Sequence, residues 1–301
     1  MNKLDKTITV TFSDINRLNS APLNQLASYY SPEMKPGSQI KASIIERKGS
    51  DCKIDSLLTA TYLNKVAQET QSNCQKRFVC QDQLSNDPRY YEEIIFEDNV
   101  IPTRAGTWHD FFNGLMWLSF NKTKAYMNQL HIEQSKKYGL VPRTKVRNHV
   151  THFDECGLVL FIHGDTLLKS LHAYFSEQNW KAIFISLKAH WHKQIMPVVI
   201  GHANYEMLLK PFIGLTGKVL LVSTPESLLD SKKTNGELRA WQEQLIEYDH
   251  LLHKHLIENA VFEQNKPFYP LPILGVPGWH YEPQTLAFYG NKRYFMPKRR
   301  P

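Results

Sequence analysis

Several familiar signatures are missing from this 301-residue chain. It has no run of about 18 apolar residues, so no membrane span is expected. Its first stretch, MNKLDKTITVTFSDINRLN, carries acids and lacks an apolar core segment, so no signal peptide is expected either. Both points place the protein in the cytoplasm. Cysteine is scarce: Cys52, Cys74, Cys80 and Cys156 form no C-x-x-C pair, and no Cys/His spacing matches a structural zinc site. Free thiols in a reducing compartment follow. There is no G-x-S-x-G elbow, no G-x-x-x-x-G-K-[ST] phosphate loop and no H-E-x-x-H helix, which argues against the enzymes built on each. No low-complexity segment and no repeat of 20–50 residues is visible. With 42% hydrophobic residues, the chain can build a sizeable core.

What is present centres on Ile101–Asn128, IPTRAGTWHDFFNGLMWLSFNKTKAYMN. Pro102 fixes an extended entry. Thr107 reads as an N-cap with Asp110 three residues on, at capping-box spacing. A helix is predicted over about Trp108–Phe120. Phe111, Phe112, Leu115, Met116 and Leu118 form its apolar side, while His109, Asp110, Asn113 and Trp117 share the other. Two readings stand. In one, Asp110 is a cap, a role that Asn would fill as well, and His109 and Asn113 bond neighbouring backbone. In the other, the helix N-terminus is a site. Arg104 is then the anion clamp, His109 an acid or base, Asp110 its orienter and Asn113 a positioning donor.

A second constellation lies in MPVVIGHANYEMLLKP, read as strand, glycine turn and helix. His202 and Glu206 stand four apart on one helical face. They form either a local His–Glu pair or, with His109 and Asp110, a four-ligand set for a divalent metal.

The run PTR, WHDFFNGLMW, then Lys124 and Asn128 resembles a bacterial family described as domain of unknown function 3025. FDECG, GHANYEMLLKP, GLTGK and LPILGVPGW resemble the same family in the same order. The resemblance covers about Phe78 to Arg300. Asn121 departs from it, standing where the family's pattern has proline. The resemblance implies a shared outline and assigns no catalytic roles.

Elsewhere, ITVTF reads as a strand and APLNQLASYY as a short helix, with SPEMKPGSQ as a connector; residues 1–50 form an N-terminal extension. Ile54–Glu69 has helical spacing, RFVCQ is a strand, and YYEEIIFEDNVIP is mixed strand and turn. A helix over Lys122–Tyr138 ends at Gly139. Lys136, Lys137, Arg143, Lys145, Arg147 and His149 read as a solvated helix end and loop. A phosphate-facing patch is the alternative, and it lacks the interleaved aromatics of single-strand binders. THFDECGLVLFI is a turn into a buried strand, with Asp154 and Glu155 in the turn and Gly157 suited to positive φ; the adjacent acids as metal ligands are the alternative, disfavoured because neighbours on a strand point to opposite faces. Asp165 caps the next helix, and Trp180–Leu187 is helix or strand. Leu158–Ile162, Pro197–Ile200 and Lys218–Val222 form strands that alternate with helices and are expected to be parallel. Thr234 and Glu237 cap a long helix whose stripe is Leu238, Trp241, Leu245, Tyr248 and Leu252. Phe268, Tyr269, Ile273, Leu274, Trp279, Phe288 and Tyr289 hold down a C-terminal strap.

The expected fold is therefore α/β or α+β: a single domain over 1–301, with a mixed sheet flanked by helices. The expected function is a metal-assisted hydrolase of a small anionic or phosphorylated substrate. A non-catalytic nucleic-acid- or protein-binding protein is the alternative, since a net charge of +7 permits a polyanionic partner.

Overall fold

The computed structural model describes residues 16–30, 58–229 and 238–298. The ITVTF strand, the SPEMKPGSQ connector, Cys52 and the Thr234/Glu237 cap lie outside these residues. The fold is mixed α/β. Leu23–Tyr29 is a short 3-10 helix. Helix α1 (Ala60–Glu69) starts on Thr59, whose hydroxyl accepts the Tyr62 N–H at 3.1 Å. There follow β1 (Arg77–Cys80), α2 (Tyr91–Asp98), β2 (Val100–Thr103), α3 (Trp108–Ser119), α4 (Asn121–Tyr138) and α5 (Lys145–Cys156). Then come β3 (Gly157–Ile162), α6 (Asp165–Ser176), β4 (Ile195–Val199), α7 (His202–Leu209) and β5 (Thr216–Ser223). The chain closes with α8 (Leu238–Glu258), β6 (Tyr269–Pro272) and α9 (Leu286–Tyr289).

β1 and β2 pair in parallel beside α2. The larger sheet has the order β4-β3-β5-β6. β3 is buried along its whole length, as its unbroken apolar run GLVLFI demands of a central strand. β3 and β5 are parallel, whereas β4 runs antiparallel to β3, with Ile162 opposite Ile195. This corrects the expectation of three parallel strands. The chain after β3 leaves through α6 and returns to the same end of the sheet, so β4 starts where β3 stops. Residues 182–186 in that excursion form a π-helical turn, not a strand.

Other local readings change as well. Residues 91–98 are helix, not strand and turn, because Glu93 returns to the Tyr90 N–H at 3.0 Å and left-handed Asn99 stops the helix. Asp165 is the first helical residue and makes no cap bond; Gly164 precedes it. The basic stretch is not all solvated: Arg147 is buried in α5 and donates to the Gly139 and Leu140 carbonyls.

α3 is amphipathic as expected, but both its sides are covered. Its apolar residues join one hydrophobic cluster that runs from Leu18 to Phe295. Leu245, Tyr248 and Leu252 of α8 are buried in that cluster, as are Ile273, Leu274 and Trp279 of the C-terminal strap. Cys74, Cys80 and Cys156 are free thiols. Among the described residues no helix is long and apolar enough to cross a membrane.

Candidate metal centre

The site is assembled where α3, α5 and α7 meet. Thr107 caps α3 by accepting the Asp110 N–H at 3.4 Å. The Asp110 carboxylate does not complete a capping box. It turns back to Arg104, accepting the backbone N–H at 2.6 Å, Nε at 3.1 Å and Nη2 at 2.6 Å. Asp110 therefore pins the turn between β2 and α3 and does not orient His109.

α5 runs straight into β3, and α7 lands on that junction. Gly157 adopts φ −68°, so its lack of a side chain, not a positive φ, is what the junction uses: a Cβ there would strike the Phe153 carbonyl. A Cβ on Gly201 would strike the Glu155 carbonyl oxygen and the Gly157 nitrogen, both backbone atoms that cannot yield. Asn204, fully buried, donates to the Cys156 carbonyl at 2.9 Å and ties α7 to the end of α5. His202, the first residue of α7, is thereby set against Asp154 and Glu155. One helical turn below, Phe112 of α3 stacks on Tyr205 of α7, with ring centroids 5.5 Å apart. The same packing brings His109 against His202, ring centroids 4.5 Å apart at 79°.

The two imidazoles meet through their Nε2 atoms, 3.1 Å apart. Glu155 Oε2 lies 3.5 Å from His202 Nε2. One ligand atom each from His109, Glu155 and His202 can be chosen within 4.8 Å of one another. Tetrahedral ligands at about 2.0–2.1 Å from a zinc-class ion stand about 3.3–3.4 Å apart, so the two shortest separations bracket that value. Both outer nitrogens face carboxylates. His109 Nδ1 lies 3.0 Å from Glu206 Oε2, and His202 Nδ1 lies 3.8 Å from Asp154 Oδ2. The Glu206 carboxylate behind His109 fixes the tautomer that leaves its Nε2 free to ligate, whereas the buried His202 Nδ1 makes no hydrogen bond among the described residues.

The charges are balanced from behind. Lys124, buried in α4, pairs with Asp154 and donates to Asn113 Oδ1 at 2.9 Å. Asn113 in turn donates to the Tyr91 hydroxyl at 3.1 Å. Burial alone would raise the Asp154 carboxyl, but Lys124 and His202 outweigh it and hold its pKa below the usual range. Burial raises Glu155, against the pull of His109. The Glu206 hydrogen bond raises the His109 pKa, while burial pushes that of His202 down to about 3.

His109, His202 and Glu206 come together, but Glu206 serves His109 and not its helix neighbour His202. Asp110 is committed to Arg104. Asn113 lies behind the site, in the Lys124 chain. The sequence offers Asp154 and Glu155 as metal ligands, but adjacent side chains on a strand would point to opposite faces, which favours a turn. The residues instead form the last turn of α5. The amphipathic spacing of Val146, Val150 and Phe153 is the signal that reveals this helix.

Fold and site together define a mixed α/β protein in which two imidazoles and a carboxylate converge on one point. The chain belongs to the family described as protein of unknown function (DUF3025), whose model matches residues 76–299. No curated protein and no solved structure matches it. Three of the sequence runs that carry the family resemblance supply this cluster: WHDFFNGLMW gives His109, FDECG gives Asp154 and Glu155, and GHANYEMLLKP gives His202 and Glu206.

Proposed function

We propose that this chain is a cytoplasmic, metal-assisted hydrolase of a small anionic substrate. The observation that carries the reading is the pair of Nε2 atoms at 3.1 Å, each on a ring whose Nδ1 faces a carboxylate. If both Nδ1 atoms hold their protons toward those carboxylates, two lone pairs point at each other. Such an arrangement calls for a cation between them. His109, His202 and Glu155 offer two nitrogens and one oxygen, a donor set suited to zinc, manganese or iron. A zinc-class ion in such a site lowers the pKa of a water it holds to near neutrality.

Glu206, partly exposed, holds His109 Nδ1 from behind and fixes the ring that presents Nε2 to the ion. Arg104 spends Nε and Nη2 on Asp110; its Nη1 makes no hydrogen bond among the described residues, and its side chain is half-exposed. Its charge and that of Glu206 act on each other, so the guanidinium lies near the cluster. Held rigid by Asp110, it supports the choice of an anionic substrate. The three free thiols agree with a reducing compartment.

The test is a hydrolysis panel of nitrophenyl phosphates, carboxylic esters and acyl amino acids, run with zinc, manganese or iron and after chelation. Turnover that chelation abolishes, metal restores and His202→Ala lacks is expected. Turnover indifferent to chelation, or none on any of these classes, removes the reading.

A further inference from the structure

We infer that the loop joining α4 to α5 is a docking surface for an anionic lipid bilayer, independently of the metal centre. The loop is built, not slack. Buried Arg147 donates to the Gly139 and Leu140 carbonyls at 3.3 and 2.8 Å, and Thr144 caps α5 by accepting the Arg147 N–H at 3.2 Å. This anchoring turns apolar side chains outward. Val141 is 88% exposed, Tyr138 55% and Leu140 45%. Phe96 of α2, 41% exposed, lies under the ammonium of Lys136 from the last turn of α4. Single exposed apolar residues are ordinary. Here three fall within four positions and a fourth comes from a neighbouring helix.

The charge on this tip is predominantly positive, with exposed Glu133 one turn before it. Residues 134–153 contain no acid, and Lys136, Lys137, Arg143 and Lys145 are all exposed. The acids on neighbouring α2 are engaged elsewhere. Glu92 bonds Asn128, Glu93 bonds the Tyr90 N–H, and Glu97 and Asp98 hold Arg89. A fixed aliphatic tip flanked by four exposed cations matches a bilayer whose acyl boundary takes Leu140 and Val141 while its anionic headgroups meet the lysines and Arg143. Nucleic acid fits less well, since phosphates gain nothing from an aliphatic tip.

The experiment is co-sedimentation of the full chain with vesicles of phosphatidylcholine alone or mixed equally with phosphatidylglycerol, at low and at physiological salt. Partitioning onto the mixed vesicles at least tenfold above the neutral ones is expected, weakening with salt. Leu140→Ser with Val141→Ser should lower it at least tenfold with an unchanged melting temperature, because both side chains are exposed. Lys137→Gln with Arg143→Gln should abolish the preference for phosphatidylglycerol. Equal binding to both vesicles, no binding, or binding indifferent to the serine pair overturns the inference. So does a gain in RNA or DNA binding unaffected by that pair, or a serine pair that acts only by changing the oligomeric mass.

Discussion

His109 and His202 face each other Nε2 to Nε2 across 3.1 Å, although 93 positions separate them in the chain. A hydrogen bond between them needs one proton; a metal site needs none. The metal reading predicts that His109→Ala, His202→Ala and Glu155→Gln each weaken zinc binding at least tenfold, about 1.4 kcal/mol. Glu206→Gln, acting behind His109, should cost about 10–100-fold. Asp110→Asn should leave zinc affinity unchanged. Isothermal titration of each variant checks this; unaltered affinity in Glu155→Gln would remove Glu155 from the ligand set.

Asp110→Asn carries its own prediction. As a cap alone, Asp110 tolerates Asn. Its carboxylate instead takes three donors from Arg104. The amide keeps part of that geometry and loses the charge. A stability loss of about 1–2 kcal/mol is expected, moderated because Arg104 is half-exposed. Urea unfolding decides between a cap and a clamp: no loss means a cap.

Gly201→Ala tests how the site is assembled. The added methyl meets backbone of Glu155 and Gly157, so the end of α5 and the start of α7 must separate. A loss of about 1–3 kcal/mol is expected, together with weaker zinc binding, since His202 moves away from Glu155. A stable variant with full affinity would show that the close approach is not what positions His202.

Two buried groups titrate with opposite consequences. Burial lowers the His131 pKa to about 4, below its unfolded value, so its stabilisation is present above about pH 6.5 and is lost as pH falls toward 4. Burial raises Glu92 to about 7, so its contribution is present below about pH 4.5 and is lost as pH rises through 7. Both line one small cavity with Lys124, Asn128 and Asp154. Glu92→Gln should therefore be more stable than wild type at pH 8, by about 1–3 kcal/mol, with the gap closing toward pH 5. Melting temperatures across pH 4.5–8.5 check the sign; a gap that does not vary with pH would contradict it.

His109 and His202 are legible in the sequence because each follows a local helix-start signal, Thr107 in one case and a strand with Gly201 in the other. Local chemistry also marks Gly139 as a helix end and GLVLFI as a central strand. Glu155 is not legible in the same way, because its ligand role depends on α5 continuing to Cys156 and on α7 docking there. The Lys124–Asp154 pair joins residues 30 apart on different helices, which no periodicity reports. The direction of β4 is hidden for a related reason: alternation of helix and strand does not say which end of the sheet the chain returns to. Arg147 looks like one more surface cation until the carbonyls of Gly139 and Leu140 fold over it.

The central claim is the metal centre, and X-ray absorption at the zinc edge, on protein loaded with one equivalent of zinc, tests it most directly. The account predicts retention of that zinc with a nitrogen and oxygen shell at about 2.0–2.2 Å, no sulfur near about 2.3 Å, and scattering from two imidazoles. His202→Ala and His109→Ala should each remove one imidazole. Zinc that is not retained, a shell containing cysteine sulfur, or two imidazoles that persist in either variant would contradict it.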